Sequence, residues 1–236
     1  MSMLCRDGGG EAGRCIASAH ATPLPFRVRP AELADDLRHV QRVRELAYGR
    51  HVGQHAASFG LPDPLDHNAD ATVLLAEDRA SREVVGSARI QLNRRGPLEI
   101  ERSVTLPKRL DGRLLCEVTR LCVMPGYCSR LVRPALVKAC YLRITALRVS
   151  GVVAGSRCSL LRLYRALGFD DLFGDAREVP LAHGGGLPHR VLWLDLLEPE
   201  SVRDVVQGPM HAFVFRDWHP DIEPFGGKQQ LSAALI

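Results

Sequence analysis

Glu117 and Arg120 stand inside Leu114-Leu115-Cys116-Glu117-Val118-Thr119-Arg120-Leu121-Cys122-Val123, a run apolar enough for the centre of a sheet. A carboxylate and a guanidinium placed there need each other or a ligand, because an unpaired buried charge is costly. Residues three apart on a regular strand point to opposite faces, so both reach one site only if the strand bulges between them. Arg44 raises the same question on a helix. At the helical repeat it falls in the middle of the apolar stripe of Leu33, Leu37, Val40 and Ala47, with Tyr48 beside it. The plainer alternative is that Arg44 snorkels to an edge or makes a structural ion pair.

Arg89 shares a strand face with Ser87 and Gln91, which by itself reads as a solvated face. Asp63 and Asp66 lie on a loop, where either could simply cap a turn. Together the six residues suggest more. Arg44, Arg89 and Arg120 against Asp63, Asp66 and Glu117 balance in charge, as a partly buried network must. Such a cluster can orient an anionic group through bidentate guanidiniums and can give a carboxylate the basicity to accept a proton.

The elements that would position these residues follow from periodicity. A short strand begins at Phe26-Arg27-Val28 and closes at Pro30, and a helix is predicted from about Ala31 to Gly49. After a loop with two prolines come strands at Ala71 to Ala76 and Val84 to Leu92, then the central strand, Leu114 to Val123. A helix is predicted from Pro134 to Arg148, with proline in its first turn, then a buried strand at Gly151 to Gly155. The next helix, Leu160 to Leu167, stops at Gly168 in a left-handed cap. Strands near Arg177 to Leu181 and His189 to Leu196 flank Gly184-Gly185-Gly186, and a further strand is predicted at Ala212 to Arg216. This order makes one α/β domain, a mixed central sheet with helices on both faces, over residues 23–198. Residues 1–22 read as a flexible segment and 199–236 as an extension.

Composition sets bounds. The 236 residues are 46% hydrophobic and 25% charged, enough chain for a sizeable core. A formal charge of +4 is too small to argue for nucleic acid, and no apolar run reaches the length of a membrane span. No secretory leader is recognisable. The seven cysteines include no Cys-x-x-Cys, and no histidine follows Cys116, Cys122 and Cys128 at finger spacing. No bound metal is expected, and the thiols read as small core residues of a cytoplasmic protein.

Leu160-Leu161-Arg162-Leu163-Tyr164-Arg165-Ala166-Leu167-Gly168-Phe169 resembles the late helix-to-strand motif of the GNAT acyltransferase superfamily. Arg44-x-x-x-Tyr48, Asp63-x-x-Asp66 and Glu117-x-x-Arg120, with Arg89 in Gly86-Ser87-Ala88-Arg89, resemble the charged cluster of acyl-homoserine-lactone (autoinducer) synthases. That cluster recurs in part in the related N-acyl amino acid synthases. Two departures favour the latter. Autoinducer synthases carry a tryptophan where this chain has Gln54, and a glutamate where it has Leu61.

The resemblance implies a GNAT-like domain that moves a medium- or long-chain fatty acyl group from a thioester to the amino group of an amino acid. The donor would be the acyl-phosphopantetheine of acyl carrier protein, with no bound cofactor. Acetyl-CoA enzymes have Arg/Gln-x-x-Gly-x-Gly/Ala after the central strand, whose N–H groups cradle a pyrophosphate. Met124 to Pro134 lacks that glycine pair, which favours a carrier protein. In this reading Glu117 accepts the amine proton, directly or through water, and Tyr164 is either the acid for the leaving thiolate or a core residue. A backbone N–H freed by the bulge, around Leu121 to Val123, stabilises the oxyanion. Arg44, Tyr48, Asp63, Asp66, Arg89 and Arg120 bind substrate, and the acyl tail runs along the central strand and Val152-Val153. Arg130, Arg133, Lys138 and Arg157 offer a basic patch for the acidic carrier. The competing readings are an autoinducer synthase using S-adenosylmethionine and a non-catalytic module that only binds the carrier.

Overall fold

The computed structural model describes residues 23–49, 58–127, 129–197 and 209–225. The expectations for residues 1–22, Gln54 and Cys128 lie outside them. The strands are β1 (Phe26–Pro30), β2 (Ala71–Asp78), β3 (Val84–Leu92), β4 (Leu115–Val123), β5 (Gly151–Ser156), β6 (Asp170–Asp171), β7 (Glu178–Pro180) and β8 (Pro188–Asp195). The helices are α1 (Asp36–Gly49), α2 (Ser129–Ala146) and α3 (Leu161–Ala166). All eight strands form one sheet in the order β1-β2-β3-β4-β5-β8-β6, with β7 also on β8. Every pairing is antiparallel except β4 with β5.

The sheet is covered on both faces, as expected. Leu74 and Ala76 of β2 pack with Val132, Ala135, Leu136 and Ala139 of α2. Val73 and Leu75, their alternate neighbours, pack with Val40 and Val43 of α1. Alternation along a strand sends these two sets to opposite faces. Full burial of each such side chain stabilises by about 1.5–3 kcal/mol, which seats α1 firmly against β3 and β4.

Two irregularities shape the middle of the sheet. β4 and β5 pair only from Leu115–Glu117 to Gly151–Val153, after which the strands part. On the other side, Ser87 faces Cys122 while Arg89 faces Thr119, so β4 carries one extra residue opposite β3. Arg120 sits in that bulge with φ of 55°, the left-handed region that costs an L-residue about 1–2 kcal/mol. The bulge expected between Glu117 and Arg120 is therefore present.

Several expectations are corrected. Helix α1 begins at Asp36, not Ala31, because the Asp36 carboxylate accepts from the N–H groups of Glu32 and Leu33 at 2.9 Å and holds that stretch as a turn. Leu33 is consequently 64% exposed. Helix α2 starts at Ser129, so Pro134 lies inside it rather than in its first turn. Ala212 to Arg216 is no strand but a π-helical turn, its apolar run Ala212 to Phe215 serving helix packing and not sheet pairing. It packs on α2. Lys138, expected on a docking surface, is buried there and donates to the carbonyls of Phe213, Val214 and Asp217.

Candidate active site

Val40 and Val43 fix the buried face of α1, and one turn after Val40 that face carries Arg44, only 1% exposed. Its guanidinium reaches Asp66 at 2.5 and 3.1 Å. Asp66 lies in the 3-10 turn Pro64–His67, which Asp63 caps by accepting from the Leu65 N–H at 3.0 Å. The cap does not exhaust Asp63. It also takes Arg89 at 2.6 Å and Arg120 at 3.2 Å.

Arg89 is the hub. Wholly buried, it meets Asp63, Asp66 at 3.2 Å, Glu99 at 2.5 Å and the Thr119 hydroxyl at 3.1 Å. Its face of β3, with Ser87 and Gln91, is buried and not solvated. Burial alone would raise the Asp63 carboxyl, but the charges of Arg89 and Arg120 outweigh it and hold it at about 2. Three guanidiniums thus face three carboxylates, as charge balance requires. The third carboxylate, however, is Glu99 of the 3-10 turn Glu99–Arg102 and not Glu117.

Glu117 stands apart from these ion pairs. It is fully buried, and one oxygen accepts the Ile100 N–H at 2.9 Å. The other lies 3.3 Å from Nε2 of His183, on the 3-10 turn Ala182–Gly184. Burial pushes the Glu117 carboxyl up to about 8, and Glu99 adds to the shift. Burial and then the Arg120 charge push His183 down to about 3. Burial thus favours the uncharged form of both partners, a protonated Glu117 beside a neutral His183.

Where β4 and β5 part, a cavity of about 260 Å³ opens. Thr119 to Val123 line one wall, and Gly155, Arg157, Leu160 and Tyr164 line the other. Met124 N–H donates to the Val85 carbonyl, so by antiparallel alternation the N–H groups of Leu121 and Val123 face away from β3, toward the opening. A second, polar cavity of about 490 Å³ holds Arg44, Asp63 and Leu61 and shares Phe59, Arg120 and His183 with the first. The Arg120 guanidinium lies 5.0 Å from the Phe59 ring, which also stacks on Tyr48 at 4.3 Å. A third cavity of about 50 Å³ is wholly apolar and shares Val118, Leu121 and Tyr164 with the first. Val152 lines it, whereas Val153 points to the other face, among Leu98, Leu115 and Trp193.

The sequence between residues 39 and 185 matches the family model of the N-acyl amino acid synthase FeeM, more than half of the chain. The chain belongs to the FeeM family of N-acyl amino acid synthases. It is an N-acyltransferase, and its fold is GNAT-like. No curated protein sequence matches it. Among solved structures it is similar to FeeM, an N-acyl amino acid synthase from uncultured soil microbes, at 15% identity over 75% of this chain and 93% of that one, TM-score 0.56. It is also similar to BjaI, a CoA-dependent acyl-homoserine lactone synthase, at 17% identity over 84% and 92%, TM-score 0.53. TofI gives 17% over 82% and 98%, TM-score 0.52.

Around this cleft of the FeeM-family chain the structure gathers Arg44, Tyr48, Asp63, Asp66, Arg89, Glu117, Arg120, Val123 and Tyr164. Of the basic residues expected at the surface, Arg133 and Arg157 line the first cavity and Arg130 is exposed near the α2 start. Glu99 and His183 were not singled out by spacing. Both sit in short 3-10 turns far from the cluster in sequence, and Gly184-Gly185-Gly186 after His183 marks only a turn.

Proposed function

We propose that this protein transfers a medium- or long-chain acyl group from the phosphopantetheine thioester of acyl carrier protein to the amino group of an amino acid. The observation that carries the reading is the parting of β4 from β5 next to the bulged Arg120. It opens one wall for a thioester arm and turns two backbone N–H groups toward that space.

The three adjoining cavities suit three parts of the reaction. The arm enters past Arg133 and Arg157, whose charge suits a phosphate and an acidic carrier. The first carbons of the acyl tail enter the apolar cavity beyond Tyr164, and its walls part to take a longer chain. The acceptor sits in the polar cavity, where Arg120 has an exposed fraction able to take its carboxylate. The amine attacks the thioester carbonyl, and the Leu121 and Val123 N–H groups hold the oxyanion. Each such donor is typically worth about 3–4 kcal/mol of barrier. Glu117, once ionised, is the group that receives the proton the amine gives up, its basicity set by burial among compensating charges. Tyr164, held near 12 by burial, keeps its phenolic proton and is placed to meet the leaving thiolate.

Lipid extraction and mass spectrometry of a bacterial culture expressing the chain test this reading. New N-acyl amino acids are expected in the extract. Soluble protein with no new acylated amine contradicts it, and acyl-homoserine lactones instead would assign the autoinducer reaction.

A further inference from the structure

Glu117 lines none of the three cavities. Its carboxylate is completely buried, so an amine in the cleft does not reach it directly. His183 stands at this point. Its ring lines both the thioester cavity and the polar cavity, and its Nε2 is 3.3 Å from Glu117 Oε1. The facing Oε1 and the far nitrogen, Nδ1, are both buried without a hydrogen-bond partner among the described residues. Buried polar atoms are rarely left this way, and a water, an ion, a ligand or a catalytic role accounts for those that are.

The turn that carries His183 is tied down. Its carbonyl accepts from Arg120 Nη1 at 2.8 Å, and the Ala182 N–H donates to the Ser103 hydroxyl at 2.9 Å. A Cβ on Gly184 would lie 2.6 Å from the His189 ring, and Gly185 and Gly186 adopt φ of 71° and 72°, so this glycine run is what the turn needs. A histidine held so tightly against a buried carboxylate, with its second nitrogen unused, has the layout of an oriented general base.

We propose that His183 is the residue that takes the proton from the reacting amine, with Glu117 behind it fixing the tautomer and receiving the charge. This rests on the acyl-transfer reading and adds the proton's route. The acceptor arrives as an ammonium. Nδ1, covered in the resting structure, comes to the cleft surface by a small turn of the ring and takes one of its protons, while the Nε2 proton moves to Glu117 Oε1, 3.3 Å away. The amine forms the C–N bond as the carbonyl π pair moves onto oxygen. The oxyanion then collapses, the C–S bond breaks, the thiolate takes the Tyr164 proton, and Tyr164 regains one from nitrogen. The products are amide and free thiol, with one proton released to solvent from the Glu117–His183 pair.

The groups facing the pair come from several elements. They are Arg89 on β3, Arg120 on β4, Glu99 and Arg102 on the Glu99–Arg102 turn, and His189 on β8. The pair acts as a base only once its shared proton has left Glu117, so turnover rises with pH through about 8.

The test measures steady-state amide formation by purified wild type, His183→Ala, His183→Gln and Glu117→Gln, with donor KM, melting temperature and the pH profile of each. His183→Ala is expected to lower kcat by about a hundredfold or more with donor KM little changed. Added imidazole should restore part of that loss, a response that a merely structural histidine does not give. In Glu117→Gln the limb near pH 8 should disappear. Should His183→Ala not fold, His183→Gln keeps the polar volume and must show the same kcat loss. Wild-type turnover with either folded histidine variant at near wild-type kcat overturns the proposal alone. So does a kcat loss that imidazole leaves untouched while donor KM rises with it. Wild type that forms no amide overturns the acyl-transfer reading, and this proposal with it.

Discussion

Arg120 Nη1 donates to the backbone carbonyl of His183 at 2.8 Å. One guanidinium therefore ties the β4 bulge to the turn after β7, besides pairing with Asp63 at 3.2 Å. Backbone strain at φ of 55° is retained where these contacts meet the cleft.

Arg120→Gly and Arg120→Ala delete the same contacts but differ in the backbone they must adopt. Glycine takes the left-handed conformation freely, alanine does not. The glycine variant should be the more stable by about 1 kcal/mol in urea unfolding, and both should lose most activity. Equal stability would show that the bulge relaxes once the side chain is gone.

Arg89 is the group whose removal hurts the fold most. Arg89→Met leaves Asp63, Asp66 and Glu99 buried with less than their share of positive charge. A loss of about 3–5 kcal/mol in denaturant unfolding is expected. Arg44→Met strips only Asp66 of one partner, with Arg89 still present, and should cost less.

Acid should attack the same cluster. Asp63 is held at about 2 against an ordinary 3.8, so its folded carboxyl is the harder to protonate. Its contribution of about 2 kcal/mol is present in full well above pH 3.8 and is lost as pH falls toward 2. Melting temperature against pH checks the sign. Asp63→Asn should be less stable than wild type at pH 6, and the gap should narrow toward pH 2.

Donor recognition is separable from chemistry. Arg133→Glu with Arg157→Glu should raise KM for acyl carrier protein and flatten its salt dependence, with kcat changed much less. Acyl-CoA assayed beside acyl carrier protein reports whether the carrier is preferred. An unchanged carrier KM in the double variant would remove these arginines from the donor path.

Much of this was legible in the sequence, for local reasons. β3 occupies Val84–Leu92 as its pattern indicates, and Gly168 caps α3 with φ of 86°. The buried Arg44 followed from helical spacing, and the bulge from two charges three apart in an apolar strand. What failed was non-local. The Asp36 carboxylate, not hydropathy, sets the start of α1. Lys138 sits next to apolar Val137 and Ala139, but only the packed segment at Phe213 to Asp217 supplies the carbonyls that hold its ammonium. Glu99 displaced Glu117 as the third ion-pair carboxylate, and His183 joined the site through a turn whose place depends on the whole sheet edge.

The most direct test incubates purified protein with a long-chain acyl carrier protein and a mixture of amino acids. It follows free thiol and amide in one reaction. Equal amounts of thiol and N-acyl amino acid, with both suppressed in Glu117→Gln, are the expected result. Thiol release without amide, or no consumption of the thioester by folded protein, would contradict acyl transfer to an amine in this cleft.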